Sequence, residues 1–356
     1  MGSIAAIERY PASLDHETLL VRRGARSGLY TMVAVHSTVR GPALGGCRMW
    51  PYEDARAALR DVLRLSGAMT FKAAAADLPM GGGKGVIVLP PGSRPPSGAQ
   101  RTAVLEDFGD AVEALDGAYV TAEDVGTAEE DMQVIAGRTR HVSGLDVRRG
   151  GSGDPSPWTA LGVQEAIEVS LEHAAGSGDL TGRTVAIAGL GSVGAALGAG
   201  CAQAGADLLA ADIDPARRAI AEELGARWVT PAQALEAEAD VYAPCALGGV
   251  LDHETAVRAG ARIIAGAANN QLADESVAEV LASRGTLWAP DFICNAGGII
   301  NISVELDGPY EPARARERLA TIGHTLRRVF ADADAAGTTP LAAARALAHE
   351  RLAGPD

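Results

Sequence analysis

The sequence predicts an α/β fold of two domains separated by a cleft, and three observations support this. Its 356 residues are too many for one small core and fit two domains of roughly 150 residues each. Strand patterns alternate with helix patterns along the chain, as in α/β folds. Residues 150–157, GGSGDPSP, concentrate glycine, serine and proline between more regular regions, which is typical of a hinge. We therefore expect domains at 1–149 and 150–329, with a C-terminal helix at 330–356 packing back on the first.

Composition and charge exclude several classes of partner. Hydrophobic residues make up 47% of the chain and charged residues 21%, as is ordinary for a soluble globular protein. The formal charge of -14 repels nucleic-acid phosphates and anionic membrane surfaces. The chain begins without a signal-peptide pattern and contains no apolar run long enough to span a bilayer, so a cytoplasmic protein is expected. The four cysteines contain no Cys-x-x-Cys pair, so neither a metal site nor a disulfide framework is predicted.

Two strand patterns flank a helix pattern in the first domain. Residues 30–38 (YTMVAVHST) and 85–89 (GVIVL) are rich in β-branched and apolar residues, as strands are. Residues 52–65 carry apolar residues at helical spacing, which predicts an amphipathic helix. The glycine-containing segments between this helix and residue 85 are expected to be loops.

A glycine motif follows a strand pattern in the second domain. Residues 184–188 (TVAIA) run directly into Gly189-Leu190-Gly191-Ser192-Val193-Gly194 and a helical pattern. The first glycine permits a tight turn, the second lets the backbone approach a pyrophosphate, and the third lets helix and strand pack closely. The next strand pattern ends at Asp212, whose carboxylate can accept both ribose hydroxyls and repel a 2′-phosphate. The second domain is therefore predicted to be a Rossmann dinucleotide-binding domain that prefers NAD over NADP.

Lysine usage points to a chemical site in the first domain. The chain contains 29 arginines but only two lysines, Lys72 and Lys84, and only lysine can lose its proton in a protein. Lys84 follows three glycines, without the spacing of a Walker phosphate loop, and Asp124 lies downstream in TAEDVGT. We expect both amines and this carboxylate to share one cleft, where each ammonium lowers the pKa of the other. Two incidental surface lysines are the alternative interpretation.

Several of these stretches resemble the Glu/Leu/Phe/Val amino-acid dehydrogenases, within them the leucine, valine and phenylalanine dehydrogenase branch. The similar stretches occur in both predicted domains: residues 41–46, 67–72, 79–84, 121–127, 243–249, 266–271 and 289–298. The resemblance implies NAD-dependent, reversible oxidative deamination of an L-amino acid to its 2-oxo acid and ammonia. It also implies a homo-oligomer built through the first domain.

The resemblance further implies individual roles. Lys72 would hold the substrate carboxylate with the Gly45 and Gly46 backbone. Lys84 would be the general base that activates water, and Asp124 would exchange protons with the substrate nitrogen. Asn270 and Asn295 would orient the substrate and the nicotinamide. Beyond the glycine motif and Asp212, the implied cofactor neighbours are Ile213, Arg217, Ala246, Leu247, Asn269, Asn295, Arg48 and Thr159. Cys47 departs from the family pattern, which commonly has threonine there.

By the same resemblance, five uncharged residues would line the side-chain pocket: Leu44, Met69, Ala122, Ile299 and Ile302. Glutamate would bury its second carboxylate there without a partner, which is costly. Ile299 and Ile302 would occupy volume where an aromatic ring would lie, so a branched aliphatic substrate is expected. Phenylalanine remains the alternative, because hydrophobic pockets discriminate by only about 1–3 kcal/mol per methylene.

Two other classes of protein share the cofactor fold. A 2-hydroxy-acid dehydrogenase would need a catalytic histidine, but the seven histidines occur in no comparable glycine-rich cluster. A non-enzymatic NAD sensor would have lost the reactive lysine, whereas Lys84 and Asp124 are both present. An amino-acid dehydrogenase is therefore the preferred interpretation.

Overall fold

The computed structural model describes residues 15–354, apart from the Arg149 side chain, and their contacts divide the chain into two compact units. The first unit includes the described residues up to Ala73 and Pro79–Gly153. The second includes Ala74–Leu78 and the residues from Asp154 onward. The division thus falls within the predicted hinge, slightly later than the predicted boundary. We propose substrate binding for the first unit and dinucleotide binding for the second.

The first unit is built on a five-stranded mixed sheet in the order β1-β2-β4-β3-β5. Strands β1 and β2 and strands β2 and β4 pair antiparallel, whereas β3 pairs parallel with both β4 and β5. The strands are Thr18–Arg23 (β1), Tyr30–Ser37 (β2), Ala43–Pro51 (β3), Gly81–Leu89 (β4) and Tyr119–Glu123 (β5). The helices are Ala55–Ala75 (α1), Gly98–Glu113 (α2) and Glu129–Ala136 (α3), with a 3-10 turn at Val147–Arg149.

Helix α1 and strand β4 are both longer than the sequence predicted. The segment 67–72 and the triple glycine before Lys84 were expected to be loops, but the first lies inside α1 and the second inside β4. Strand β3, which contains Gly45 and Gly46, was not predicted. Close packing explains why these glycines lie in regular elements: a β-carbon on Gly82 would lie 2.0 Å from the backbone nitrogen of Thr70 in α1. These glycines mark close contact between elements, as glycine inside a strand often does.

Apolar residues cover both faces of this sheet. On one face, Met32 and Val86 pack with Ala58 and Val62 of α1. On the other face, Val33 and Ile87 pack with Leu105 and Phe108 of α2 and with Met132 of α3. Side chains along each strand therefore alternate between the α1 face and the α2 face.

The second unit is a six-stranded parallel sheet in the order β11-β10-β9-β6-β7-β8. Counted from β6, this is the doubly wound order of the Rossmann fold, which confirms the predicted fold class. The strands are Thr184–Ala188 (β6), Asp207–Ala211 (β7), Arg227–Trp228 (β8), Val241–Pro244 (β9), Ile263–Ile264 (β10) and Leu287–Trp288 (β11).

Ten helices and one 3-10 turn complete the described part of the second unit. The helices are Ser156–Ala175 (α4), Ser192–Gln203 (α5), Arg218–Glu223 (α6), Pro231–Glu236 (α7), His253–Arg258 (α8), Ser276–Ser283 (α9), Asp291–Cys294 (α10), Gly297–Leu306 (α11), Pro312–Ala336 (α12) and Pro340–Ala353 (α13), and the 3-10 turn is Pro215–Arg217. Within residues 15–354, no helix combines the length and apolar character needed to cross a membrane.

The C-terminal region consists of two helices: the alanine-rich helix that the sequence predicts from Thr339 to Leu352 is α13, whereas residues 330–336, which were counted with it, belong to α12. Helix α12 ends at Gly337, which adopts φ +62, and Thr339 caps α13 by accepting a hydrogen bond from the backbone of Ala342. A left-handed glycine followed by a capped new start is a standard helix break. Near the end of α13, Arg351 donates to the carbonyls of Ala74 and Ala75 at 3.1 and 2.6 Å. Both carbonyls lie in the short segment grouped with the second unit.

Candidate functional site

The predicted chemical residues of the first unit lie on the α1 face of its sheet. In strand β4, Lys84 stands between Gly82 and Val86 in the alternating pattern, and these neighbours contact α1 and its adjacent core. Across the sheet, Gly82 pairs with Leu44 and Val86 pairs with Arg48 of β3. Gly46 of β3 pairs with Ala122 of β5, and Asp124 follows two residues later. Since alternate residues share a face, Leu44, Gly46, Arg48, Lys84 and Ala122 all face the same side.

The Lys84 amine is buried and paired with a carboxylate. Its side chain is only 6% exposed, and Nζ lies 3.0 Å from Oδ2 of Asp124. Burial is the largest influence and lowers the pKa of Lys84, the carboxylate of Asp124 opposes it, and Arg48 adds to the lowering. The net pKa lies below the ordinary lysine value. Lys72 was expected to lower the pKa of Lys84, but burial is the main cause.

The Asp124 carboxylate is shared between two cations. Its Oδ2 atom accepts hydrogen bonds from Lys84 Nζ at 3.0 Å and from Arg48 Nε at 2.9 Å. Burial raises the pKa of the Asp124 carboxyl, but Lys84 and Arg48 together outweigh burial and keep this pKa below its usual value. Asp124 is therefore held in its ionised form next to an amine whose pKa is also lowered.

The turn that carries Asp124 is held by two residues to which sequence reasoning gave no role. Thr127 Oγ1 accepts a hydrogen bond from the Asp124 backbone at 2.9 Å and donates to the Cys47 carbonyl at 2.8 Å. Arg101 donates to the carbonyl of Gly126 at 2.9 Å, and Gly126 adopts φ +86. A threonine three residues after an aspartate often stabilises such a turn, and this spacing was visible in the sequence.

Arg48 connects Asp124 to a second carboxylate, Asp61 of α1. Its Nη1 atom lies 2.9 Å from Asp61 Oδ2, which also accepts a hydrogen bond from the Tyr52 hydroxyl at 2.7 Å. Arg64 pairs with the other Asp61 oxygen at 2.9 Å. Arg48 was predicted to be a cofactor neighbour, yet these contacts engage its guanidinium within the first unit. Asp61 and Tyr52 were not predicted to belong to the site.

Two buried side chains on the α2 face support the glycine backbone. Cys47 is fully buried with Phe108 and Tyr119, and burial raises the pKa of its thiol, so it acts as a small apolar residue. The Tyr119 hydroxyl donates to the carbonyl of Gly45 at 2.6 Å. This bond holds the Gly45 and Gly46 backbone, which was predicted to contact a carboxylate. The sequence contained no signal for this use of Tyr119.

The remaining predicted residues of the first unit lie on α1. Met69 and Lys72 are half-buried, and Lys72 lies in the last turn of the helix. Thr70, between them, contacts the strand of Lys84 at Gly82. Both predicted substrate residues therefore belong to the helix that packs on the Lys84 side of the sheet.

The glycine turn of the second unit has the geometry predicted for a pyrophosphate site. Gly189 adopts φ +107, and a β-carbon there would lie 2.8 Å from the backbone nitrogen of Ala246. A β-carbon on Gly194 would lie 1.9 Å from the Gly189 carbonyl oxygen, so only glycine allows this packing of α5 on β6. A β-carbon placed on Gly191 would meet no heavy atom within 4 Å beyond its chain neighbours. Open space therefore adjoins the start of α5, at Ser192 and Val193.

Residues at the carboxyl ends of β7 and β9 complete a surface that fits a dinucleotide. Asp212 accepts hydrogen bonds from the backbones of Leu190 and Asp214 at 2.7 and 2.9 Å, which fixes its carboxylate beside the glycine turn. Ile213 and Leu247 are 87% and 77% exposed, the highest values among large hydrophobic residues in the described chain. Exposed apolar side chains at this edge suit a flat base. Arg217 is also partly exposed there.

Three predicted asparagines lie around one loop of the second unit. Asn295 donates to Asn269 Oδ1 at 2.9 Å and to the Ala267 carbonyl at 3.1 Å, and Asn270 is exposed with φ +52. Gln271, which sequence reasoning did not single out, is completely buried. Its backbone donates to Asp291 at 2.7 Å and its side chain accepts from the Trp288 indole at 3.0 Å. This buried network holds the loop that presents Asn269 and Asn270.

The last predicted residues are near the start of α11. Thr159 donates to the Pro155 carbonyl at 3.0 Å, and a β-carbon on Gly298 would lie 2.8 Å from the Thr159 hydroxyl oxygen. Ile299 and Ile302 follow in α11 and are largely buried. The second unit therefore brings Thr159 close to the helix of both isoleucines.

Taken separately, the two units offer different chemistry. The first unit holds a buried amine against an ionised carboxylate, which suits proton transfer to and from a substrate. The second unit offers an open helix N-terminus, a fixed carboxylate and exposed apolar residues, which suits a dinucleotide.

Comparison with known proteins identifies a family for both units. Residues 18–141 match the sequence profile "Glu/Leu/Phe/Val dehydrogenase, dimerisation domain", and residues 211–354 match "Glutamate/Leucine/Phenylalanine/Valine dehydrogenase". Leucine dehydrogenase from Bacillus subtilis is 40% identical over 346 residues, which cover 97% of this chain and 93% of that protein. Phenylalanine dehydrogenase from Caldalkalibacillus thermarum is 38% identical over 344 residues, 95% of this chain and 91% of that protein.

A solved structure agrees with the sequence comparisons. The fold is similar to that of L-tryptophan dehydrogenase from Nostoc punctiforme, with a TM-score of 0.84, 36% identity and coverage of 98% of both chains. These matches confirm the resemblance predicted from the motifs, and they argue against a 2-hydroxy-acid dehydrogenase or a sensor without activity. The chain belongs to the Glu/Leu/Phe/Val dehydrogenase family and is an amino-acid dehydrogenase of the kind that uses a nicotinamide cofactor.

Proposed function

We propose that this enzyme catalyses the reversible, NAD-dependent oxidative deamination of a branched aliphatic L-amino acid to its 2-oxo acid and ammonia. The observation that carries this proposal is the buried pair of Lys84 and Asp124, 3.0 Å apart. A buried amine whose pKa is lowered, beside a carboxylate that is held ionised, can provide the two proton acceptors that the reaction requires.

In the proposed mechanism, Lys72 and the Gly45 and Gly46 backbone bind the substrate carboxylate. Asp124 takes a proton from the substrate ammonium and leaves a neutral amine. The glycine turn at 189–194 and Asp212 would hold the dinucleotide, which would supply the acceptor for the hydride that leaves the substrate Cα. Lys84 takes a proton from water as its oxygen attacks the resulting iminium carbon. Asp124 returns its proton to the nitrogen, and ammonia leaves as the carbonyl forms. The hydroxyl proton passes to the departing ammonia to give ammonium, and Lys84 releases its proton to solvent.

The choice of an aliphatic substrate rests on the volume and polarity of five residues. We assign the substrate side chain to Leu44, Met69 and Ala122 of the first unit and to Ile299 and Ile302 of the second. None carries a charge that could pair with the second carboxylate of glutamate, and burying that charge alone is costly. Similar identities to leucine and phenylalanine dehydrogenases, 40% and 38%, do not separate these substrates. Phenylalanine is therefore the second candidate.

A panel of L-amino acids assayed through NADH absorbance tests this function together with Lys84→Ala. We expect L-leucine or L-valine to exceed L-phenylalanine in kcat/KM. Because Lys84 must be neutral to accept a proton, and its pKa is lowered, kcat/KM should rise with pH and level off below the ordinary lysine pKa of about 10.4. Lys84→Ala should reduce kcat by roughly 10²–10⁴-fold, the usual contribution of a general base.

Lys84→Arg is the matched control, because guanidinium keeps the charge but does not lose its proton. It should be as inactive as Lys84→Ala, while NADH fluorescence titration shows cofactor binding unchanged in both variants. Full activity of either variant would eliminate Lys84 as the base. A clear preference for L-phenylalanine would instead refute the aliphatic substrate.

The preference for NAD is assigned to Asp212. Asp212→Asn keeps the shape of the side chain but removes the charge that would face a 2′-phosphate. The ratio of kcat/KM for NAD over NADP should fall by at least about tenfold, because like charges placed together cost several kcal/mol. Asp214→Asn is the control, since Asp214 caps the next turn by accepting from Ala216 and should leave the ratio unchanged. An unchanged ratio in Asp212→Asn would remove Asp212 as the determinant.

We also propose that the enzyme is a homo-oligomer formed through its first unit. This rests on the match of residues 18–141 to a profile described as a dimerisation domain. Sedimentation velocity of the full chain should show a mass of at least twice 36.4 kDa, and a monomer at micromolar concentration would contradict this assignment.

A further inference from the structure

We propose that Arg48, held in place by Asp61 and Tyr52, is a positioning residue that keeps the Asp124 carboxylate shared, so that Lys84 is the cation released for proton transfer. This inference rests on the proposed function, because it takes Lys84 as the base. Arg48 would act through Asp124 and without contact with the reacting atoms.

An unbroken series of contacts joins five side chains from different parts of the first unit. The Tyr52 hydroxyl donates to Asp61 at 2.7 Å, and Asp61 lies 2.9 Å from Arg48. Arg48 Nε lies 2.9 Å from Asp124, and Lys84 Nζ lies 3.0 Å from the same carboxylate. The series crosses from the end of β3 through α1 and back to β3, then to the turn after β5 and to β4.

The important detail is that both cations bind one oxygen. Arg48 Nε and Lys84 Nζ converge on Asp124 Oδ2, so each reduces the attraction that this oxygen has for the other. Guanidinium does not lose its proton under working conditions, whereas a buried ammonium does. The competition is therefore resolved by loss of a proton from Lys84.

Asp61 determines how strongly Arg48 attracts the Asp124 carboxylate. Its carboxylate pairs with Arg48 through Oδ2 and with Arg64 through Oδ1. Burial and the hydrogen bond to Asp61 raise the pKa of the Tyr52 hydroxyl, so Tyr52 still donates to Asp61 in the alkaline range where a lysine base works. Asp61 thus neutralises part of the Arg48 charge and fixes the direction of its guanidinium.

Strands β2 and β3, the turn after β5 and helix α1 contribute the charged and titratable groups around this series. Strand β2, which pairs with β4 at Ala34 and Lys84, contributes His36, whose ring nitrogen lies 2.9 Å from Thr70 Oγ1 of α1. Strand β3 contributes Arg48 and the buried Cys47 thiol, and the turn after β5 contributes Asp124. Helix α1 contributes Asp61 and Arg64 at one end and Lys72 in its last turn. Arg48 and Asp61 carry opposite charges and pair with each other at 2.9 Å, so we expect their removal to have opposite effects on Lys84.

The test is the pH profile of kcat/KM for oxidative deamination of the best L-amino acid from the panel, which reports ionisation in the free enzyme. Asp61→Asn leaves the Arg48 charge uncompensated and disfavours the Lys84 ammonium, so the acid limb should move to lower pH. Arg48→Met gives Asp124 entirely to Lys84 and should move this limb to higher pH. Each shift should be roughly 0.5–1 pH unit, the scale for one partly solvated charge several ångströms away.

Two controls separate this role from a purely structural one. Arg64→Gln removes a cation that pairs with Asp61 and makes no bond to Asp124, so any movement of the acid limb should be smaller than in Arg48→Met. Asp61→Glu keeps the charge and should return the limb to the wild-type position even where kcat falls. Loss of stability alone would lower the amount of active enzyme without moving the limb.

The outcomes distinguish this inference from the proposed function. Opposite shifts in Asp61→Asn and Arg48→Met support it, and if one variant does not fold, the shift in the other carries the test. An active wild type whose acid limb stays in place in both variants overturns the role of Arg48 and leaves Lys84 as the base. A wild type that turns over no L-amino acid overturns the proposed function, and this inference with it.

Discussion

Burial of the Lys84 amine against the Asp124 carboxylate is the constraint on which the rest of the first unit depends. Removing an ammonium from water is expensive unless a partner lies at hydrogen-bond distance, and here the partner must come from the turn after a neighbouring strand. That approach requires strands without side chains in the way. A β-carbon on Gly46 would lie 2.4 Å from the Glu123 carbonyl oxygen and 2.8 Å from Asp124 Cβ. Glycine at position 46 is therefore a structural requirement of the buried pair.

The same pair explains why Asp124 binds a second cation, Arg48. A carboxylate bound by Lys84 alone would hold the ammonium firmly and make a poor base of it. Sharing Oδ2 with Arg48 weakens that hold, while Asp61 prevents the guanidinium from being an unpaired buried charge. Lys84, Asp124, Arg48 and Asp61 all belong to the first unit. The glycine turn, Asp212 and exposed apolar residues of the second unit form instead the surface that we propose for a dinucleotide.

Much of this organisation could be predicted from the sequence, because some signals are local. The glycine motif and Asp212 follow adjacent strands, so their spacing alone predicts a dinucleotide site. The presence of only two lysines among many arginines singled out Lys72 and Lys84 as candidates for a chemical role, since only lysine can give up its proton. The alanine-rich helix from Thr339 to Leu352 was also predicted from local composition and corresponds to α13, whereas its extension back to residue 330 ran across the break at Gly337.

Other features depend on contacts between distant parts of the chain and could not be predicted. Arg48 binds a carboxylate 76 residues away and another 13 residues away, and no local pattern specifies these partners. Local preference also misassigned residues 67–72 and 81–84, because glycine suggests loops until the neighbouring element is known. There the close approach of α1 to β4 outweighed the low helix and strand propensity of glycine. The role of Tyr119 in holding Gly45 is hidden for the same reason.

The ionisation of Lys84 can be measured without turnover, because the chain contains only two lysines. Enzyme labelled with ¹³C at lysine Cε should show one side-chain signal each for Lys72 and Lys84, assigned with Lys84→Arg, and each signal follows its own amine through a pH titration. If Lys84 is a buried base that shares Asp124 with Arg48, its midpoint should lie clearly below the ordinary lysine pKa of about 10.4. A midpoint at or above that value would show that Asp124 holds the ammonium, and it would contradict the assignment of Lys84 as a base poised for proton transfer.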